Sequence, residues 1–317
     1  MNFDKKLIVT VAINYDKNKL CVFIKSILKN CPNCDVLFFC DNKVMEHTIK
    51  FYPEFLHRFH FKKINFLTYF RIKNQLFTKY ISKFLILFLR INNFFSSKKN
   101  INKDKLEIFS LGRYTTLNSH FLLRRFIWYS NINIIKKYDF VYLTDCRDVF
   151  FQSDPLNTLI IKKKFIFSGE EPELIKNNVF NKNWIKKAYF KRKEIYQCLQ
   201  NSSVICAGVT IGSTKFILDY LERMNKEIVD YIKWNKNNEI TNLDQAFHNK
   251  IFSYDKLPGY NIDKENKLIS TIGYFNKFDF DIDYKKQKIS VNGVEPAIIH
   301  QYDRSDLLKK VIEKWYS

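Results

Sequence analysis

Short apolar runs alternate along the chain with longer stretches in which apolar residues recur every three or four positions. That alternation predicts strands joined by helical crossovers. The strand-like runs are 7–13 (Leu7-Ile-Val-Thr-Val-Ala-Ile13), 36–40, 140–143, 164–167, 204–211 and 297–299. Helical spacing covers 17–30, 115–137, 214–234, 243–252 and 305–316. In the last of these, Leu307, Leu308, Val311, Ile312 and Trp315 form one stripe, and Lys309, Lys310 and Lys314 fall on the other side. No fixed period repeats and no Gly/Ser/Pro-rich linker divides the chain, so one α/β domain over 1–317 is expected.

One segment departs from this rhythm. From Phe55 to Lys103 there are eleven Lys or Arg and no Asp or Glu. Within it Leu76, Phe77, Tyr80, Ile81, Phe84, Leu85, Phe88 and Ile91 recur at helical spacing, with Lys79, Lys83 and Arg90 off the stripe. The pattern predicts a basic amphipathic helix inserted at 55–103. It suits a core-facing helix with a solvated Lys face, an anionic membrane surface, or a nucleic-acid patch.

Composition narrows the classes. The 317 residues carry a formal charge of +21, yet 46% are hydrophobic and 17% aromatic, which excludes a disordered basic tail. The seven glycines occur in no G-x-G-x-x-G or G-x-x-x-x-G-K spacing, so a standard dinucleotide fingerprint and a Walker loop are both absent. Seven dispersed cysteines fit a reducing, cytoplasmic setting rather than a disulfide scaffold. Cys31-Pro-Asn-Cys34 has no companion pair or nearby His, and reads as a turn. The longest apolar run, Phe84 to Leu89, falls far short of the ~20 residues a spanning helix needs. The N-terminal segment lacks a signal-type cleavage site and reads as the first strand.

The densest chemistry lies in Tyr138-Asp-Phe-Val-Tyr-Leu-Thr-Asp-Cys-Arg-Asp-Val-Phe-Phe-Gln-Ser-Asp-Pro155. An apolar strand ends there in Asp145 and Asp148, spaced D-x-x-D, and open α/β sheets place their sites at the carboxyl ends of strands. Two carboxylates on one turn suit a hard divalent cation. Taken alone, Asp at a strand end more often caps a turn or the next helix.

This string resembles the metal-binding region of GT-A glycosyltransferases, and Leu143 to Pro155 is similar to the "DxRDVxFQxDP" signature of a plant and bacterial group of them. The D-x-x-D spacing also resembles that of collagen-modifying glycosyltransferases, where GT-A enzymes usually show D-x-D. Three further strings follow in the order expected of the group. Cys206-Ala-Gly-Val-Thr-Ile-Gly-Ser213 is similar to the small-residue strand beside the donor sugar, Asn242-Leu-Asp-Gln-Ala-Phe-His-Asn249 to the "DQ" helix start, and Ile299-His-Gln-Tyr-Asp-Arg304 to the C-terminal "HQ(Y/F)DR". The resemblance spans about 120 to 304 and leaves 55–103 unmatched.

The resemblance implies a GT-A fold with a mixed central sheet, and Mn²⁺ or Mg²⁺ held by Asp145, Asp148 and His300. It also implies Asp244 and Gln245 at the reacting centre, and Ala207 and Gly208 beside the donor sugar. Arg125 is a candidate contact to donor sugar or phosphate, in competition with Arg124. Thr10, Ala12 and Asn14, at the end of the first strand, are placed at the nucleotide by fold analogy. Each has a structural alternative: His300 as a core imidazole, the glycines as close strand packing, Asp244 as a helix cap, Arg125 as a surface ion pair. The expected activity is transfer of a sugar from a nucleotide-sugar donor, UDP-linked, to a hydroxyl of a glycan or lipid-linked glycan, with no specific nucleic acid as partner. The rivals are a non-catalytic basic membrane or nucleic-acid-binding protein and a metal-dependent nucleotidyltransferase.

Overall fold

A computed structural model describes residues 4–63, 133–157, 165–234 and 243–316. Strand β1 (Lys6–Ala12) is buried at every position after Lys6, because it lies inside a seven-stranded sheet of order β3-β2-β1-β4-β7-β6-β8. Its neighbours β2 (Cys34–Cys40) and β4 (Phe140–Thr144) both run parallel to it, and β3 (Phe59–Lys63) extends the parallel half to the edge. The other half is mixed. β7 (Ser203–Ser213) is antiparallel to β4 and to β6 (Ile166–Leu174), and β8 (Tyr260–Asp263) is parallel to β6.

Helices cover both faces, and the period-two geometry of β1 divides its side chains between them. Leu7, Val9 and Val11 join one cluster with Ile217, Tyr220 and Leu221 of α5 (Thr214–Trp234). Ile8 and Ala12 join the other, with Phe23 and Ile27 of α1 (Lys17–Asn30). Helix α2 (Asn42–Phe51) starts where the Asp41 carboxylate accepts the Val44 N–H at 3.0 Å, an N-cap worth about 1 kcal/mol. The same carboxylate accepts the Asn14 N–H at 2.8 Å, tying the end of β1 to the start of α2.

A smaller sheet of order β5-β12-β9 stands beside the main one, formed by β5 (Val149–Phe151), β12 (Ile298–His300) and β9 (Ile269–Thr271). Against it pack a hairpin, β10 (Phe280–Asp283) with β11 (Lys288–Val291), and α7 (Asp306–Tyr316), which share a cluster of Phe150, Ile289, Val291, Ile299, Ile312 and Tyr316. The remaining helices are α3 (Val179–Ala188), α4 (Lys193–Leu199) and α6 (Leu243–Asn249).

Several expected boundaries shift. The strand expected at 164–167 continues to Leu174, and the helix expected over 243–252 passes into a π-turn at Lys250–Tyr254. Ile135–Lys137, the expected end of a helix, forms a 3₁₀ turn, and residues 115–132 of that helix, Arg124 and Arg125 among them, lie outside the described residues. The 55–103 segment begins in a 3₁₀ helix, Pro53–Arg58, and passes into the main sheet. Phe59–Lys63 is β3, and the buried Arg58 donates to the Cys31 and Cys34 carbonyls, which close the end of α1. A cation there meets the negative end of the helix dipole, and the C-x-x-C is the turn it caps. The 76–91 stripe lies outside the described residues. Among those described, no helix is long and apolar enough to cross a membrane.

Candidate active site

Asp145 is the first residue after β4, and its N–H donates to the Gly208 carbonyl of β7 at 2.8 Å. Four residues later, at Val149, the chain enters β5, which pairs antiparallel with β12 in a register that sets His300 opposite Val149. The Gln301 N–H then donates to the Asp148 carbonyl at 2.7 Å. Two pairings therefore bring residues 145, 148 and 300 together across nearly half the chain. His300 Nε2 lies 3.6 Å from an Asp145 carboxylate oxygen and 3.8 Å from one of Asp148. One ligand atom from each of the three lies within 4.8 Å of the others.

The far side of the imidazole is also held. His300 Nδ1 lies 3.4 Å from Cys206 Sγ and 3.4 Å from Thr271 Oγ1, which leaves Nε2 aimed at the carboxylates. Partners on the far ring nitrogen fix the orientation of an imidazole that offers its other nitrogen to a metal. His300 is 2% exposed, and burial alone would lower its pKa, but Cys206, Asp148 and Glu171 outweigh it and push the value up to about 9. Without a cation the ring thus carries a proton between two carboxylates. The donor set, two carboxylates and one imidazole, fits Mn²⁺ or Mg²⁺.

The ring also explains Gly208. A Cβ there would lie 2.1 Å from the imidazole Cε1, so only glycine lets β7 pass this close to His300. Gly212, in the same strand, instead abuts the Phe165 carbonyl, where a Cβ would come within 2.7 Å. One glycine serves the cluster and the other serves strand packing.

The triad opens into a cleft of about 610 Å³, which Ala207, Gly208, Asp244 and Gln245 also line. Asp244 is 3% exposed, at the start of α6. Gln245 bridges to β7: its Oε1 accepts the Ala207 N–H at 2.9 Å and its Nε2 donates to the Ile205 carbonyl. Both ends of the Gln245 amide thus hold the strand that backs the cluster. Gln301 takes the left-handed backbone region at φ 61° and packs its amide against Gly273, where a Cβ would meet Oε1 at 1.9 Å.

The N-terminal candidates sit differently. Thr10 is fully buried with its hydroxyl donating to the Thr144 carbonyl at 2.9 Å, and Ala12 packs in the α1-side core. Neither lines the cleft, whereas Val11 and Tyr15 do. Asn14 is exposed, with φ 59°.

Several lining residues carry no sequence signal of their own. Glu171 of β6 is 6% exposed, and burial raises its carboxyl to about 7 against a lowering hydrogen bond from Cys206 and the His300 charge. It reaches the wall because β6 is irregular between Ser168 and Glu170 and again before Leu174, and such bulges re-aim side chains. Asn178, Phe180 and Trp184 line the same wall from the start of α3. Phe180 and Trp184 stand one helical turn apart with ring centroids 5.9 Å apart. Arg147 contacts Asp148 at 3.3 Å and Asp303 at 3.3 Å, placing one cation at the rim.

Among solved structures the chain is similar to LgtC. The crystal structure of an active-site glutamine-to-glutamate mutant of LgtC aligns over 97% of this chain and 94% of that chain, with TM-score 0.52 and 13% identity. The galactosyltransferase LgtC in complex with donor and acceptor sugar analogues aligns over 97% and 95%, with TM-score 0.48 and 13% identity. The first likeness shows the fold: a GT-A type α/β arrangement around a mixed central sheet, over nearly the whole chain. No protein-family model matches the chain, and no curated protein matches it in sequence.

Proposed function

We propose that this protein is a metal-dependent glycosyltransferase that moves a sugar from a nucleotide-sugar donor, UDP-linked, to a hydroxyl of a glycan or lipid-linked glycan. The observation that carries this reading is the Asp145–Asp148–His300 cluster opening into the cleft at the carboxyl end of β4 in a GT-A type sheet. A Mn²⁺ or Mg²⁺ ion there would neutralise charge on the nucleoside diphosphate leaving group. The chain's own residues do the rest. Ala207 and Gly208 offer a backbone floor on which the donor sugar lies. Asp244 orients the acceptor hydroxyl or accepts its proton. Gln245 keeps the β7 backbone in register beside the anomeric centre through its two amide bonds. Thr10, Ala12 and Asn14 mark the β1 end as the nucleoside side, with Val11 and Tyr15 as its cleft-lining contacts; Arg125 is assigned to the donor. The odd, dispersed cysteines favour a cytoplasmic setting, with the basic 76–91 stripe available to an anionic membrane face.

The test is a panel of nucleotide sugars with Mn²⁺, scored for nucleoside diphosphate release and for the anomer of the product. Release with at least one sugar nucleotide, abolished by chelation, is expected. Binding of RNA or DNA with no donor turnover, or pyrophosphate release in place of nucleoside diphosphate, would replace the reading with one of its rivals.

A further inference from the structure

The helix flanking the cleft mouth concentrates exposed apolar side chains among the described residues. Three of the seven large hydrophobic side chains exposed among the described residues fall within 179–190: Val179 at 66%, Phe180 at 67% and Phe190 at 40%. They are exposed by geometry. Asn181, Ile185 and Ala188 turn the opposite face of α3 inward toward α6, which leaves Val179, Phe180, Asn183 and Lys186 outside. The same stretch is basic. From Val179 to Lys193 there are six Lys or Arg and no Asp or Glu. Cations and rings share one patch, with Lys191 Nζ 5.6 Å from the Phe190 ring and Lys186 Nζ 4.7 Å from the Tyr196 ring.

Single exposed apolar side chains are ordinary on a solvated face, but three within 179–190 are a cluster, and a duplex phosphate backbone would be met by the cations alone. Apolar side chains among an acid-free set of cations match the interface of an anionic bilayer, where rings enter the headgroup boundary and Lys and Arg meet anionic lipid. Phe180 belongs both to this patch and to the cleft lining.

We propose that the edge formed by α3 and the turn leading into α4, from Val179 to Lys193, docks on an anionic membrane surface and holds the cleft mouth at the headgroups. The segment is distinct in sequence from the 76–91 stripe. Where the transferase reading holds, it specifies a lipid-linked acceptor presented at the bilayer, and only this last step rests on that reading.

The experiment is co-sedimentation of the full chain with phosphatidylcholine vesicles, with and without phosphatidylglycerol, at about 0.1 M and about 1 M salt, where the Debye length is about 10 Å and about 3 Å. The variant Lys186→Glu/Lys187→Glu/Lys191→Glu should lower low-salt binding to the anionic vesicles about tenfold or more. The variant Val179→Ser/Phe190→Ser should lose the fraction that high salt fails to release, and both should melt as the unmodified protein does. Equal binding by all three proteins would overturn the proposal. So would loss confined to Lys79→Glu/Lys83→Glu/Arg90→Glu, or a charge-reversal effect seen on single-stranded RNA with no vesicle binding by the unmodified protein. Calorimetry of UDP with Mn²⁺, run without vesicles, reports on the cleft alone. Docking without UDP binding would sink the transferase reading and leave the docking surface standing.

Discussion

On one side of the cleft, Asp145, Asp148 and His300 come from two compact strings, each an apolar strand followed at once by polar chemistry. A second part of the lining, Glu171 beside Cys206 together with Asn178, Phe180 and Trp184, comes from a bulged strand and the first turns of α3. The first wall is rigid for reasons that can be named: it sits where β4, β5, β7 and β12 meet, with a glycine admitting the imidazole. The second is built on a strand whose pairing slips twice and on a helix with one face left outside. The contrast suggests a division of labour in which the rigid wall holds a charge of fixed geometry and the irregular wall sets what is presented to it.

The sharpest way to break that division is to remove a ligand from the rigid wall. Asp148→Ala and His300→Ala are each expected to abolish Mn²⁺-dependent UDP binding in calorimetry while the protein still melts cooperatively. If either variant binds as the unmodified protein does, the rigid wall holds no cation. Asp244→Asn comes next, with an expected fall in kcat of roughly 10²–10⁴-fold and little change in donor affinity. A loss of donor affinity at constant kcat would move Asp244 to the binding side.

Proton competition should be smaller and graded. The metal-free His300 holds its proton below about 9, and a cation needs the Nε2 lone pair, so each pH unit below that value should weaken cation binding by up to about tenfold. Affinity therefore rises with pH toward about 9 and levels off above it. Titrations in buffers of different ionisation enthalpy should show proton release near neutrality, and none would place His300 outside the shell.

The mildest test compares the two glycines of β7. Gly208→Ala and Gly212→Ala should each cost roughly 1–3 kcal/mol of stability, since each new methyl must displace a packed neighbour. Only Gly208→Ala should also weaken cation binding, because its neighbour is the His300 ring. Equal cation affinity in the two variants would sever the link between β7 and the metal site.

Much of this was legible in the chain itself. The strands at 7–13, 36–40, 140–143, 204–211 and 297–299 and the helices at 17–30, 214–234 and 305–316 lie within a few residues of those observed, because their apolar residues face cores on one or both sides. Composition and periodicity suffice there, since burial acts on each element's own side chains. The short strands β3, β5, β8 and β9 were not legible. Each has few residues and forms only because a partner strand offers its hydrogen bonds.

The same line divides the site. The residue types of the cluster were set by the sequence, as two carboxylates after one strand and a histidine after another. That Nε2 rather than Nδ1 faces the carboxylates was decided by Cys206 and Thr271, and that β7 approaches closely enough was decided by Gly208. Val11 rather than Ala12 lines the cleft because the pleat of β1 alternates its faces and the layers packed on it determine which face is open. Glu171 entered the wall through a slip in strand pairing, a property of two strands together that neither one's sequence records.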